Sequence, residues 1–165
     1  LTIELHKRFG ISSERPLIVA ASTHSPEELL ILEAFAEFFL EPSKLRPRLL
    51  IAPRHPERFD EVAEQVTSIG VSRFTQFKPL SFVRRSSIES DKDKVADVIL
   101  LDSIGELRAV NQLAEIVFVG GSLIKHGGQS IFEPAAAGNQ RQHQIVGGKP
   151  LHFLKNTPRR RAPGG

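Results

Sequence analysis

The chain has 165 residues, of which 40% are hydrophobic and 25% charged, and its net charge is +3. That length suits one domain with its own hydrophobic core and is too short for two full domains. The absence of cysteine excludes disulfides and thiolate metal sites. No apolar run approaches the roughly 20 residues that span a bilayer. We therefore expect a soluble globular domain, with any membrane anchor outside this sequence.

Three segments are predicted along the chain. Residues 1–15 are mixed and polar and are predicted to form a short helix and a linker that leads into the domain. Residues 16–150 are predicted to be the domain itself, and residues 151–165 an irregular basic tail. The tail carries Arg159, Arg160 and Arg161 without interleaved aromatic side chains. This pattern favours a solvated tail over a nucleic-acid-binding patch, so no nucleic-acid partner is expected.

Short apolar runs alternate with helical patterns from residue 16 onward. Between residues 78 and 94 the chain is polar and basic and is predicted to be a loop, with room for a partial strand around Phe82. Alternating strands and helices predict an α/β fold, a Rossmann-like parallel sheet flanked by helices. The predicted strands are 16–21, 48–52, 71–77, 95–101 and 116–119, and the predicted helices are 26–39, 57–68 ending at Gly70, 106–114 and one opening at Glu133.

Polar residues follow four of these strands, at their carboxyl ends. In a parallel sheet ligands bind in the crevice beyond those ends, so these loops are expected to converge on one site. The glycines of the last loop allow a ligand to lie against backbone amides. The four groups are Ser22, Thr23 and His24; Arg54 and His55; Asp102 to Glu106; and Gly120 to Ser130.

Each charged residue also has a plainer interpretation. Arg54 suits a phosphate or carboxylate, or else forms an ion pair with Glu57 or Glu28. Glu106 is either a site residue or an acid favoured by the dipole at a helix start. Glu133 is similarly placed, and its glycine-rich neighbourhood favours a bond to ribose hydroxyls.

Metal and nucleotide motifs receive little support. His24, His55 and His126 lie on separate loops, so structural roles are favoured over a metal or acid–base set. Asp91 and Asp93 precede a strand and are predicted to be solvated. Neither a GxxxxGK[ST] nor a GxGxxG pattern occurs, which weighs against a nucleoside triphosphatase and a dinucleotide oxidoreductase.

Five motifs occur in order between about residues 16 and 138. They are AASTH at 20–24, IAPRHPERF at 51–59, RRSS at 84–87, LLDSIGEL at 100–107 and FVGGSLIKHGGQSIFEPAAAG at 118–138. Together they resemble the 3-deoxy-D-manno-octulosonic acid (Kdo) transferases of lipopolysaccharide synthesis. The resemblance implies a two-domain, metal-independent, inverting glycosyltransferase of the GT-B type. Such an enzyme moves Kdo from CMP-Kdo to a lipid A precursor at the cytoplasmic face of the bacterial inner membrane.

By this resemblance the chain is the carboxy-terminal, donor-binding half of a GT-B fold. The catalytic glutamate, the acceptor site and the membrane association belong to an amino-terminal domain outside the sequence, so the isolated chain is expected to be inactive. Arg54 is expected to contact the donor's charged groups, the segment after residue 102 to line the CMP site and Glu133 to hold the ribose. No cofactor and no metal are expected. The predicted donor-binding residues are Ser22, Thr23, His24, Arg54, His55, Ser103, Ile104, Gly105, Glu106, Gly121, Gly127, Gly128, Gln129, Ser130 and Glu133.

Two departures from the family pattern stand out. The family has GGHN or GGQN where this chain ends its glycine loop with Ser130, which has a shorter reach than asparagine. The family then continues from EPA into an apolar strand and a GPH segment, whereas a different run follows Gly138 here, with Gly148 to Pro150 echoing a GKP tripeptide about ten residues late. This suggests an insertion, a divergent end or a reading-frame error, with loss of the strand that should follow the helix at Glu133 and an uncovered sheet edge. The alternatives are another GT-B enzyme using a UDP-sugar, or a truncated non-catalytic domain.

Overall fold

The computed structural model describes residues 1–38, 46–72, 80–124 and 144–146. These residues form four α-helices, six β-strands and two short 3-10 turns, at Pro56–Arg58 and Asp91–Lys94. The helices are α1 (Thr2–Arg8), α2 (Glu27–Phe38), α3 (Phe59–Ser72) and α4 (Leu107–Asn111), and the strands are β1 (Leu17–Thr23), β2 (Arg48–Pro53), β3 (Phe82–Arg84), β4 (Val98–Leu100), β5 (Ala114–Val119) and β6 (Gln144–Val146).

The strands form a single sheet in the order β3-β4-β2-β1-β5-β6. Every pair is parallel, and Val19 in the central strand lies between Leu50 of β2 and Val117 of β5. The predicted α/β fold with a parallel sheet is therefore confirmed. The chain runs outward from β1 to β2 and later returns on the opposite side of β1 to form β5. The order thus reverses between β1 and β5, where open parallel sheets bind ligands.

Helices cover both faces of the sheet, and the alternation of side chains along each strand explains why. In β2, Leu49 and Ile51 pack in one core cluster with α2 and α3, which contribute Leu32, Phe35, Val62 and Val66 among others. Leu50 and Ala52 point the other way into a second cluster with α1 and α4. Strands buried on both faces read as continuous apolar runs, as these do.

The first residues of the chain belong to this second cluster. Leu5, Phe9 and Ile11 are buried there, and Arg8 is only 5% exposed. The short helix predicted in this segment is present as α1. The part predicted as a linker thus adds side chains to the core of the sheet, while the domain boundaries at residues 16 and 150 stay a prediction.

Several predicted elements differ from the structure; the strand predicted over 95–101, for example, is observed only at Val98–Leu100. Residues 71 and 72, predicted to begin a strand, belong to α3, which continues past Gly70 to Ser72; residues 73–77 lie outside the described part. The partial strand predicted around Phe82 is present as β3. The helix predicted over 106–114 ends at Asn111, and Ala114 already belongs to β5. The strand expected to be missing after residue 138 is present as β6, which pairs with β5. Strand pairing is made by backbone hydrogen bonds, so the weak apolar pattern of Gln144–Val146 did not prevent this segment from forming a strand.

Within the described ranges, the structure has no helix that is both long enough and apolar enough to cross a bilayer.

Candidate functional site

The ends of β1 and β5 are in direct contact at the reversal point of the sheet. The N–H of Gly120 donates to the carbonyl of Ala21 at 2.8 Å. A Cβ on Gly120 would lie 2.0 Å from the Ser22 carbonyl oxygen, so only glycine fits this approach. Ser22 itself has φ 53, in the left-handed region that non-glycine residues rarely adopt. Backbone conformations of this kind concentrate at functional sites.

The loops after β1 and β2 are joined next to this contact. The N–H of Arg54 donates to the Thr23 carbonyl at 2.9 Å. The rings of His24 and His55 meet edge to face with centroids 5.5 Å apart. Thr23 is fully buried, and its hydroxyl has no hydrogen-bond partner within the described residues. The structure therefore brings five predicted site residues together: Ser22, Thr23, His24, Arg54 and His55.

The guanidinium of Arg54 is exposed and forms no ion pair with any residue of the described ranges. The alternative partners considered for it are engaged elsewhere. Glu57 lies 3.6 Å from His55 Nδ1, and the buried Glu28 accepts from Arg58 Nη1 at 2.6 Å. The exposed guanidinium group of Arg54 thus lies at the carboxyl edge of the sheet and is suited to binding phosphate or carboxylate oxygens.

A second group lies at the ends of β3 and β4, centred on Asp102. Its carboxylate accepts from Arg84 Nε at 2.6 Å and from the backbone N–H of Ser86 at 2.8 Å. Burial alone would raise the pKa of Asp102, but hydrogen bonds from Ser86 and Arg84 offset this, and the pKa lies below its ordinary value. The carboxylate therefore stays ionised and fixes the loop after β3 against the loop after β4.

Glu106 is held in the same way by Arg85. Its two oxygens accept from Arg85 Nε at 2.9 Å and Nη2 at 2.8 Å, and Ser103 Oγ also donates to it. Burial acts to raise the pKa of Glu106, yet the bonds from Arg85 and Ser103 lower it overall. Glu106 precedes α4 as its N-cap residue, so the interpretation as a helix-start acid also describes its position. The carboxylate of Glu106 is therefore already bonded to the guanidinium of Arg85.

The residues between Ser103 and Glu106 form an open rim. Ile104 is 82% exposed. Gly105 has φ +87, and a Cβ there would meet no atom within 4 Å. This segment therefore has free space beside it.

The loop after β5 is tied to the start of α2 by a residue that the sequence does not single out. The pattern around Glu27 indicates only an acid favoured by the helix dipole, yet this residue is fully buried. Its carboxylate accepts from the N–H groups of Gly121 at 2.8 Å and Leu123 at 3.0 Å. Gly121 is a predicted donor-binding residue, and its backbone N–H is already bonded to Glu27. The His24 N–H, three residues before Glu27, also donates to this carboxylate. The link to the loop after β5 has no local sequence signal, because Gly121 and Leu123 lie more than 90 residues away.

Several predicted residues lie outside the described part of the chain. They are His126, Gly127, Gly128, Gln129, Ser130 and Glu133. The donor-binding roles of these and of the described site residues stay predictions.

The acidic pair before β4 is not solvated as predicted. Asp91 is exposed, but Asp93 is 1% exposed and bonds to Arg8, because the turn directs it beneath α1. Within the described ranges no three histidine, aspartate or glutamate side chains are grouped so as to hold a metal ion.

Comparison with known proteins relates this arrangement to one group of enzymes. The chain is 40% identical over 123 residues to the 3-deoxy-D-manno-octulosonic acid transferase of Haemophilus influenzae, covering 74% of this chain and 26% of that protein. It is 36% identical over 140 residues to the enzyme of the same name from Bordetella pertussis, covering 84% and 30%. The chain thus spans less than a third of the length of either relative. No protein-family model matches it.

A solved structure resembles the fold as well as the sequence. The crystal structure of the C-terminal CMP-Kdo binding domain of WaaA from Acinetobacter baumannii superimposes with a TM-score of 0.69 at 34% sequence identity. The match covers 93% of this chain and 72% of that domain.

Proposed function

Because the chain belongs to the Kdo transferase family, we propose that it is the donor-binding domain of such an enzyme and that it binds CMP-Kdo. The observation that carries this proposal is the likeness to the solved CMP-Kdo binding domain at 34% identity over 93% of the chain. The polar loops at the carboxyl edge of the sheet support it, since the reversal point between β1 and β5 is where such sheets bind ligands.

Arg54 is the residue we expect to meet the donor's anionic groups. Its exposed guanidinium has no ion-pair partner within the described residues, and it stands beside His24 and His55. Planar guanidinium groups bind phosphate and carboxylate oxygens through paired hydrogen bonds. The open rim at Ser103 to Glu106 would receive the nucleoside. The proposed contacts of Gly127 to Ser130 with phosphate and sugar, and of Glu133 with the ribose, complete the site.

The parent enzyme would be a metal-independent, inverting GT-B glycosyltransferase. A glutamate of the amino-terminal part would take the proton of an acceptor hydroxyl, whose oxygen then bonds to the anomeric carbon of Kdo. The bond from that carbon to the phosphate oxygen breaks, and CMP leaves with the electron pair. Arg54 and neighbouring hydrogen-bond donors would stabilise the negative charge that develops on the departing CMP.

The acceptor and the location of the parent enzyme follow from the same proposal. We propose a lipid A precursor as the acceptor, bound by the amino-terminal part, and the cytoplasmic face of the bacterial inner membrane as the place of reaction. The family relationship supports this, and the chain's coverage of 26% and 30% of two relatives leaves room for such a part. The chain on its own would bind the donor and transfer nothing.

Calorimetric titration of the chain with CMP and with UDP tests the proposal. We expect CMP to bind more tightly than UDP, and Arg54→Ala to weaken CMP binding about ten- to a hundredfold, as the loss of a hydrogen bond to a charged group does. Lys92→Ala is the control, because it removes one positive charge from the exposed turn before β4, at the opposite edge of the sheet. Its CMP affinity should stay within about twofold of wild type.

Two results would contradict this proposal. Tighter binding of UDP would favour an enzyme that uses a UDP-sugar, and no binding of CMP by folded protein would favour a truncated non-catalytic domain. Kdo transfer after mixing with a separately produced amino-terminal half would argue against the latter.

A further inference from the structure

Glu27 is the first residue of α2 and is completely buried. Both of its carboxylate oxygens accept hydrogen bonds from the backbone of loops that lie at the proposed donor site. Oε2 accepts from the N–H groups of His24 at 3.0 Å and Gly121 at 2.8 Å, and Oε1 accepts from Leu123 N–H at 3.0 Å. One side chain therefore joins the loop after β1 to the loop after β5.

These bonds compensate the burial of the charge. A carboxylate removed from water is costly unless hydrogen bonds satisfy it, and bonds from N–H groups to an ionised oxygen are stronger than neutral ones. The position at the start of α2 adds the positive end of the helix dipole. The same bonds occupy the amides of Gly121 and Leu123, so these amides act through the shape of the loop and not as ligands of a phosphate.

Glu28 shows that burial alone does not produce this arrangement. It is equally buried, but its Oε1 accepts from Arg58 Nη1 at 2.6 Å and its Oε2 has no partner within the described residues. Arg58 follows β2 in the turn that leads to α3. Neighbouring glutamates thus hold different parts of the molecule: Glu28 fixes a helix start, and Glu27 fixes the loops of the site.

We propose that Glu27 is a positioning residue for the donor, which holds the loop after β5 against the loop after β1 in the orientation that binding requires. This inference rests on the proposed function. Gly120 supports it, because its backbone lies against Ser22 and bonds to Ala21, so the two loops that Glu27 joins are already neighbours. Without the bonds to Gly121 and Leu123, the Glu27 side chain would no longer join the loop after β5 to the loop after β1.

The first test compares Glu27→Gln with Glu28→Gln in the full chain. A glutamine side chain at position 27 would be isosteric, but its NH₂ group would face N–H donors in place of an acceptor oxygen. We expect Glu27→Gln to fold and to weaken CMP binding at least about tenfold, as loss of hydrogen bonds to a charged acceptor predicts. Glu28→Gln should lower the melting temperature to a similar or greater degree and leave the CMP affinity within about twofold. A variant at Glu27 that binds CMP like wild type would overturn the inference.

The second test measures amide hydrogen exchange at Gly121 and Leu123 without ligand. We expect exchange about tenfold faster in Glu27→Gln than in wild type and unchanged in Glu28→Gln. If the wild-type chain binds no CMP, the proposed function fails. In that case faster exchange in Glu27→Gln still supports the inference that Glu27 holds the loop after β5. Unchanged exchange in Glu27→Gln overturns that inference. If Glu27→Gln does not fold, Glu27→Asp, which keeps the charge with a shorter reach, replaces it. If neither variant folds, Glu27 is a structural residue and the positioning role is wrong.

Discussion

At the scale of single residues, Arg54 and Glu106 show how similar strand-end positions acquire different roles. Both follow a strand, and both have a plainer interpretation as an ion pair or a helix-start acid. Arg54 is exposed without an ion pair in the described part of the chain, whereas Glu106 is bonded to Arg85 and Ser103. We infer that Arg54 is available to a ligand, while Glu106 supports the rim of the site.

The bond between Glu106 and Arg85 predicts a pH-dependent stability difference. The pKa of Glu106 is lowered on folding, so its ionised form stabilises the native state above its unfolded pKa of about 4.3. That contribution is lost as the pH falls through the lower, folded pKa. Glu106→Gln should therefore be less stable than wild type by about 1–3 kcal/mol at pH 7. The difference should shrink as the pH falls below about 4. Urea unfolding at pH 7, 5, 4 and 3 measures it.

Glu115→Gln is the control for this experiment, because Glu115 is an exposed carboxylate on β5 without an ion pair in the described ranges. It should change stability by less than about 0.5 kcal/mol at every pH. A difference for Glu106→Gln that stays constant from pH 7 to pH 3 would contradict the assigned ion pair.

At the scale of elements, the contact between the ends of β1 and β5 forms the centre of the site. The two strands are neighbours in register, and the chain continues from both into loops at the same edge. The positive φ of Ser22 and the absence of a side chain at Gly120 are both required for the close approach. The sequence pattern indicates that Gly120 can adopt backbone angles closed to other residues. It does not indicate that the backbone of Ser22 would lie against Gly120.

Gly120→Ala should therefore disrupt this junction. The added Cβ would lie 2.0 Å from Ser22 O, 2.5 Å from Ser22 C and 2.7 Å from Thr23 Cα, all of them backbone atoms that cannot rotate away. We expect a loss of about 3 kcal/mol or more in the free energy of unfolding, at the upper end of overpacking costs. Chemical denaturation followed by circular dichroism measures it.

Gly105→Ala provides a matched control in which strain acts without a clash. Gly105 has φ +87 but nothing within 4 Å of its added Cβ, so the cost should be only about 1–2 kcal/mol. Equal losses in the two variants, or a Gly120→Ala protein as stable as wild type, would show that the close approach is not present in solution.

The prediction of elements succeeded where the apolar pattern was strong and failed where it was weak. The strands of the centre, β1, β2 and β5, were predicted within two residues of their observed ends. A further strand is predicted from residue 71, because Val71 is β-prone, yet residues 71 and 72 belong to α3, which continues to Ser72. Tertiary packing of α3 on the sheet overrode this local preference.

At the scale of the whole molecule, a buried ion pair ties the first helix to the rest of the domain. Arg8 Nε donates to Asp93 Oδ2 at 2.6 Å, and the side chains are 5% and 2% exposed. Arg8 Nη2 also donates to the Ser87 carbonyl at 2.7 Å. The fully buried Arg48 lies beside this pair and donates to the carbonyls of Ala96 and Asp93, and burial lowers its pKa to about 10.

Asp93→Asn should therefore destabilise the entire domain. It leaves the Arg8 guanidinium buried without a counter-ion, which typically costs about 3–5 kcal/mol. Asp91→Asn is the control, since Asp91 lies in the same turn but is exposed and lies 3.5 Å from Lys94. It should cost less than about 0.5 kcal/mol. Equilibrium unfolding in urea compares the two, and equal effects would mean that Arg8 and Asp93 are not paired in solution.

The sequence by itself determined the fold class, the central strands and the polar loops that follow them. These features depend on apolar runs, helix periodicity and turn residues, which are local, and the ordered motifs indicated the family. Only the tertiary structure decided the strand order, the end of α3, the presence of β6 and the partners of buried charges. Glu27 meets Gly121 across 94 residues and Arg8 meets Asp93 across 85. Such pairs depend on how distant segments pack around the sheet, and a local pattern carries no information about that packing.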